Sequence, residues 1–178
     1  MACENINKSR LLGCKTGFSG IKAVGFLPFA NLTLSATDMF EGVGLTGSIY
    51  KFYLKNDGNT YTEEIDSNRQ THTTVYNGTL NLVLPSLDRE TRDQVKLLAY
   101  GNPQIFLELY NGQIQLIGAE LGADLSGGSI TTGGARTEMS GYSLTFTTQE
   151  RRPLVWLGVT GSTAYNAAIN LTGAITPA

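Results

Sequence analysis

Two apolar runs, residues 105–110 and 113–118, stand on either side of the dipeptide Asn111-Gly112. Asn-Gly readily takes the positive φ angles of a two-residue type I′ turn, whose twist matches that of the strands it joins. The stretch is therefore predicted to be an antiparallel hairpin, and the same punctuation recurs along the chain. Short runs rich in β-branched and aromatic residues alternate with glycine, asparagine, aspartate and proline, the pattern of a turn-rich β fold. The 21 glycines among 178 residues sit mostly between those runs, where tight turns need left-handed backbone.

Residues 20–29 read as a first strand closed by Pro28, and 32–36 as a short second one. A glycine-rich stretch, 38–47, leads into a strand over 48–55. Asn56-Asp57-Gly58-Asn59 then supplies turn chemistry, so residues 60–65 are expected to return as the hairpin partner of 48–55. Residues 66–74 are polar and read as a loop, 79–84 as a strand stopped by Pro85. One helix is predicted, from Ser86 or Leu87 to Tyr100. Ser86 or Asp88 caps it, Leu87, Thr91, Val95 and Leu98 form its apolar stripe, and Gly101 takes the position after its end, with Pro103 preventing continuation. A glycine- and threonine-rich loop is expected over 123–137. Residues 140–149 follow, alternating Tyr142, Leu144 and Phe146 against Ser143, Thr145 and Thr147 as a half-buried strand does. A last strand falls at 153–159. Eight to ten strands and one helix imply one mainly β domain, 1–178, an antiparallel sandwich or small barrel with the helix on its flank. The extended arm is placed at about 1–17 and the small polar tail at about 161–178.

Charged residues are only 16% of the chain and the formal net charge is −2. That balance leaves no basic footprint for gripping nucleic acid, and so low a charge content suggests that some surface is covered by neighbours. No apolar stretch approaches the length of a membrane span. No apolar segment follows Met1, so synthesis and folding in a reducing cytoplasm are expected. Cys3 and Cys14, with no histidine nearby, make a poor metal site and read as two reduced thiols.

The search for chemistry is sparse. Gly42-Val43-Gly44-Leu45-Thr46-Gly47 matches the dinucleotide fingerprint letter for letter but leads into a strand, whereas the fingerprint works at a helix N-terminus. His72, the one histidine, lies in a polar stretch with no nucleophile or acid at a telling spacing. Glu63 and Glu64 are adjacent in a strand and so point to opposite faces. Three N-x-T acceptors, at Asn31, Asn77 and Asn170, read as accidental. Neither cofactor, metal nor catalytic residue is expected, and the chain reads as a structural subunit and not an enzyme. The competing reading is a carbohydrate-binding sandwich of an adhesion or fibre domain, with Tyr50, Tyr53, Tyr61 and Trp156 as its aromatic platform.

Two stretches carry a resemblance. Gly13-Cys14-Lys15 followed by Gly20-Ile21-Lys22 resembles the opening of virion proteins from phages of the Bacteroidetes, including crAss-like phages. The second begins at Lys96-Leu97-Leu98-Ala99-Tyr100, continues through the hairpin around Asn111-Gly112, Gly127-Gly128 and Thr132-Gly133, and closes at residues 140–147 and Glu150. In that order it resembles a tail-tube or tail-ring structural protein, and the likeness covers about half of the chain. It implies subunits repeated around an axis into a homo-oligomeric ring, stacked into the passage through which the genome leaves. The implied partners are other tail or portal proteins of the virion and DNA sliding through the lumen, with no membrane. A head-tail adaptor or capsid-decorating protein is the neighbouring possibility. The two glycine-rich loops and the N-terminal arm are the expected contact regions, with Gly42, Gly44, Gly47, Gly127, Gly128, Gly133 and Gly134 as interface candidates. Deleting 124–136 is expected to leave a folded monomer that no longer assembles.

Overall fold

A computed structural model describes residues 18–29, 48–54 and 57–157, together with the backbone of Met39 and Phe40. The described residues form ten strands and one helix: β1 (Ile21–Leu27), β2 (Met39–Phe40), β3 (Tyr50–Tyr53), β4 (Thr60–Asn68), β5 (Thr73–Pro85), α1 (Arg89–Tyr100), β6 (Gln104–Leu109), β7 (Ile114–Ile117), β8 (Asp124–Thr131), β9 (Gly141–Glu150) and β10 (Val155–Leu157). They assemble into a six-stranded sheet, β2-β10-β7-β6-β1-β3, and a four-stranded antiparallel sheet, β4-β5-β9-β8. All pairings in the larger sheet are antiparallel except β2 with β10.

The sheets share one apolar core. Val24 and Phe26 of β1 and Ile105 and Leu107 of β6 meet Leu80, Leu82 and Leu84 of β5 and Tyr142, Leu144 and Phe146 of β9. Phe26 is the hinge of that contact, edge-on to Phe52 at 5.5 Å and tilted against Phe146 of the other sheet at 5.6 Å. Alternation in β9 follows directly, since one of its faces lies on this core and the other is partly open. The six-stranded sheet differs. Its opposite face carries a second buried cluster, with Leu27, Ile49, Phe106, Leu116 and Val155. Burial on both faces is why β1, β6 and β7 read as nearly unbroken apolar runs.

The helix begins as expected. Asp88 adopts an extended N-cap conformation and accepts the Thr91 amide at 2.6 Å, while Val95 and Leu98 pack on the shared core. Gly101, however, keeps φ at −109°, so the helix does not end in the left-handed conformation that its glycine suggested.

Four other expectations are corrected. Strand 60–65 is not the hairpin partner of 48–55: β3 pairs with β1, and β4 with β5. The turn between them is claimed by both sheets, since Leu54 N donates to Lys22 O (3.0 Å) while Asn59 Oδ1 accepts Val83 N (2.8 Å). Turn chemistry alone does not distinguish a hairpin from a crossing between sheets. The polar loop at 66–74 is the end of the β4–β5 hairpin. Its threonines suit a strand exposed on both faces, and Ser67 and Thr74 hydroxyls meet at 3.0 Å across it. The expected loop over 123–137 contains β8, paired with β9 along its length. Consequently, deleting 124–136 would remove a strand of the fold, and a folded monomer is no longer the expected product. Finally, the Asn111-Gly112 turn is not type I′. Gly112 has φ +82° and its amide donates to Leu109 O (3.0 Å), but Asn111 has no positive φ. This is the three-residue loop closed by a left-handed glycine.

The strand at 32–36, two of the three glycosylation acceptors (Asn31 and Asn170), the arm, the tail, Cys3 and Cys14 lie outside the described residues. So do Gly42, Gly44 and Gly47, which lead into β3 and not into a helix.

Candidate assembly edges and a buried carboxylate seam

Among the described residues, the four-stranded sheet ends in two long strands to which no further strand is paired. β4 spans nine residues at one edge and β8 eight at the other. Their sequences differ in a way that matters for pairing. β4 (TYTEEIDSN) carries three acidic residues, Glu63, Glu64 and Asp66, whereas β8 (DLSGGSIT) carries only Asp124, at its start. Charges, prolines and bulges are the usual protections of an exposed edge. β8 has a register shift between Leu125 and Gly127 but no lysine and no proline.

The four described glycine candidates divide by what surrounds them. A Cβ on Gly127 would meet nothing within 4 Å, so this position faces open space at the β8 edge. A Cβ on Gly128 would press on Ser143 O at 3.0 Å and Leu144 Cδ2 at 3.1 Å, so this glycine serves the packing of its own sheet. Gly133 has φ +72°, and Gly134 donates its amide to the Glu138 carboxylate, which also accepts Ala135 N at 3.0 Å. Those amides hold Glu138 below the usual carboxylate range. Gly133 and Gly134 thus build the turn between β8 and β9, and of the four only Gly127 presents an uncommitted surface.

The two sheets are tied together by carboxylates that sequence spacing does not reveal. Glu63 points inward from β4 and accepts Leu154 N at 3.0 and 3.3 Å, beside β10, while Glu64 is exposed. Glu150, at the end of β9, accepts Glu120 N at 3.1 Å and Leu121 N at 3.3 Å, both in the loop joining β7 to β8. Arg152 lies 3.4 Å from Glu120 on the same seam. Burial pushes the Glu150 carboxyl up despite these amides, and the Glu120 and Glu63 charges add to the effect. Burial also pushes the neighbouring Tyr61 phenol well above its ordinary range, again with help from Glu63. Two carboxylates and a tyrosine could in principle move protons. Here both carboxylates are occupied by backbone amides, and the seam leaves about 10 Å³ of free space, the room of one water molecule. The arrangement clamps two sheets.

The aromatic platform suggested by Tyr50, Tyr53, Tyr61 and Trp156 is not brought together. Tyr50 and Tyr53 are three residues apart on β3 and lie on opposite faces. Tyr61 packs against the core from the other sheet, and Trp156 sits on β10, separated from β3 by three strands. His72 is exposed in the β4–β5 turn at φ +52°. Among the described residues, no group of three or more His, Cys, Asp or Glu side chains is placed to hold a metal, and no helix is long and apolar enough to cross a membrane. No protein family, curated protein or solved structure matches the chain.

Proposed function

We propose that this chain is a structural subunit that assembles head-to-tail with copies of itself into a closed ring, as a component of a phage tail tube or tail ring. The observation that supports the reading is the pair of edges on the four-stranded sheet, β4 and β8, that no other described strand pairs with. Four antiparallel strands are an even number, so β4 of one copy set beside β8 of the next continues the alternation with every copy pointing the same way. A repeated heterologous contact of this kind closes into a ring when its rotation permits. An eight-residue edge offers about 27 Å of strand for pairing, and backbone pairing at an open edge is a general route to association. Low charge content and a net charge of −2 also suit a channel that must not retain phosphates.

Gly127→Glu tests the contact. Its side chain enters open space in the subunit itself, but would face the acidic β4 edge of a neighbour. Light scattering and negative-stain imaging should show rings or tubes for the wild type and a folded monomer for the variant. Rings that persist in Gly127→Glu would refute the edge contact. A wild type that stays monomeric at every concentration would refute self-assembly.

A further inference from the structure

A different surface is built at the β3 side of the six-stranded sheet, on the face turned away from the shared core. There, Tyr53 of β3, Ala23 of β1 and Glu108 of β6 lie in one cross-strand row. A register shift between Ile21 and Ala23 interrupts β1, and Lys22 beside it places Nζ 2.6 Å from Glu108 Oε1. Lys51 takes the other carboxylate oxygen and stands 4.9 Å from the centre of the Tyr53 ring. From the opposite side, Tyr110 donates its amide to Gly20 O (3.2 Å) and lays its ring beside Gly20, within 3.5 Å of where a Cβ would stand.

The parts are held but open. Tyr53 is 58% exposed, Tyr110 52%, and the Lys22 side chain 48%, whereas those of Lys51 and Glu108 are mostly covered. The Glu108 hydrogen bond and charge raise the Lys22 ammonium above ordinary lysine, and both phenols lie close enough to contribute. Both Glu108 oxygens are taken by lysines. An ammonium carries three donors, and Glu108 uses one of those on Lys22, so the donors facing solvent are cationic. Two half-exposed tyrosine rings beside an oriented cation, with Lys51 over one face of Tyr53, suit a ring with apolar C–H faces and a carboxylate on its rim.

We propose that Tyr53, Tyr110 and Lys22 form a binding platform for a carboxylated sugar, such as a uronate or sialate unit of a surface polysaccharide. The tyrosine rings stack on the sugar, and Lys22, positioned by Glu108, pairs with its carboxylate. A single-stranded nucleic acid would also use aromatics and lysine, but it needs a basic track along its backbone, and among the described residues this platform offers Lys22 as its one half-exposed cation. The platform is independent of the β4 and β8 edges, so it stands or falls separately from ring assembly.

The experiment measures retention of the full-length protein on immobilised polygalacturonate, polysialate, neutral dextran, dextran sulfate and oligo-dT. Retention on polygalacturonate or polysialate, and little on dextran, is expected, with the stronger of the two naming the sugar type. Tyr53→Ala and Tyr110→Ala should each weaken it at least tenfold with unchanged circular dichroism, and Lys22→Gln should remove the preference for carboxylated over neutral polymer. Should Tyr110→Ala misfold, Tyr53→Ala alone carries the result. The proposal is overturned if neither carboxylated polymer retains the wild type or if retention survives both tyrosine changes. Dextran sulfate or oligo-dT binding as well as the carboxylated polymers would overturn it equally.

Discussion

Glu150 is the residue whose removal most directly tests how the two sheets are joined. Its carboxylate accepts Glu120 N and Leu121 N from a loop that connects the six-stranded sheet to β8. Glu150→Ala leaves both amides without that partner, and a part-buried donor left unpaired costs about 1–3 kcal/mol. Removing a charge that burial disfavours offsets part of the loss. A net destabilisation of about 2–3 kcal/mol follows, or roughly 5–10 °C in Tm for a domain of this size. Glu150→Gln keeps one acceptor oxygen and should cost about 1 kcal/mol at pH 7. The pH dependence has a definite sign. Burial raises the folded pKa above the ordinary 4.5, so the folded state holds the proton more tightly than the unfolded chain. Wild-type stability relative to Glu150→Gln must therefore fall as pH rises from about 4.5 through the folded pKa, and level off above it. Urea unfolding followed by circular dichroism, at several pH values and low protein concentration, measures both effects. An alanine variant within 0.5 kcal/mol of wild type would refute the clamp.

Three further substitutions probe the fold. Gly122 has φ +81°, and a Cβ there would lie 2.6 Å from Asn102 O; Gly122→Ala should cost about 2–4 kcal/mol by thermal unfolding. Phe146 is fully buried between the sheets, so Phe146→Ala should lose about 3–5 kcal/mol in denaturant titration, with the m-value unchanged. Asp88→Ala removes the α1 cap and should cost about 1 kcal/mol, read as a small drop in Tm with the far-ultraviolet spectrum retained.

What the sequence made legible depended on how local the physics is. The 105–118 hairpin, the alternation of β9 and the Asp88 cap are set by neighbours a few residues apart, and each is where it was expected. The partner of β3 was not, because Asn56-Asp57-Gly58-Asn59 fits a crossing between sheets as well as a hairpin. Ser126, Gly127, Gly128 and Ser129 have little intrinsic strand preference, so in sequence β8 reads as a loop; it is a strand because β9 pairs with it. A signal that could have been used is the unbroken apolar character of β1, β6 and β7 beside the alternation of β9, which marks the sheet buried on both faces. Nothing local could pair Glu150 with residues 120–121, or place Tyr110 and Lys22 near Tyr53. Those contacts exist only once the strand registers are set.

The two sheet edges also decide what kind of oligomer can form. An isologous β4–β4 contact would bring Glu63, Glu64 and Asp66 of one copy against the same residues of another, and like charges placed opposite each other are destabilising. An isologous β8–β8 contact meets less repulsion and would stop at a dimer, leaving both β4 edges unused. Only the heterologous β4–β8 contact continues from copy to copy. Mixing separates these cases. Thr60 and Thr62 are exposed on β4, so Thr60→Glu with Thr62→Glu adds charge to that edge alone, while Gly127→Glu blocks β8 alone. Under heterologous pairing each variant is monomeric by itself, and the equimolar mixture gives one-to-one dimers, each through the unaltered edge of either partner. If β8 pairs with β8, the β4 variant dimerises without help and mixing changes nothing, which light scattering on the three samples would show.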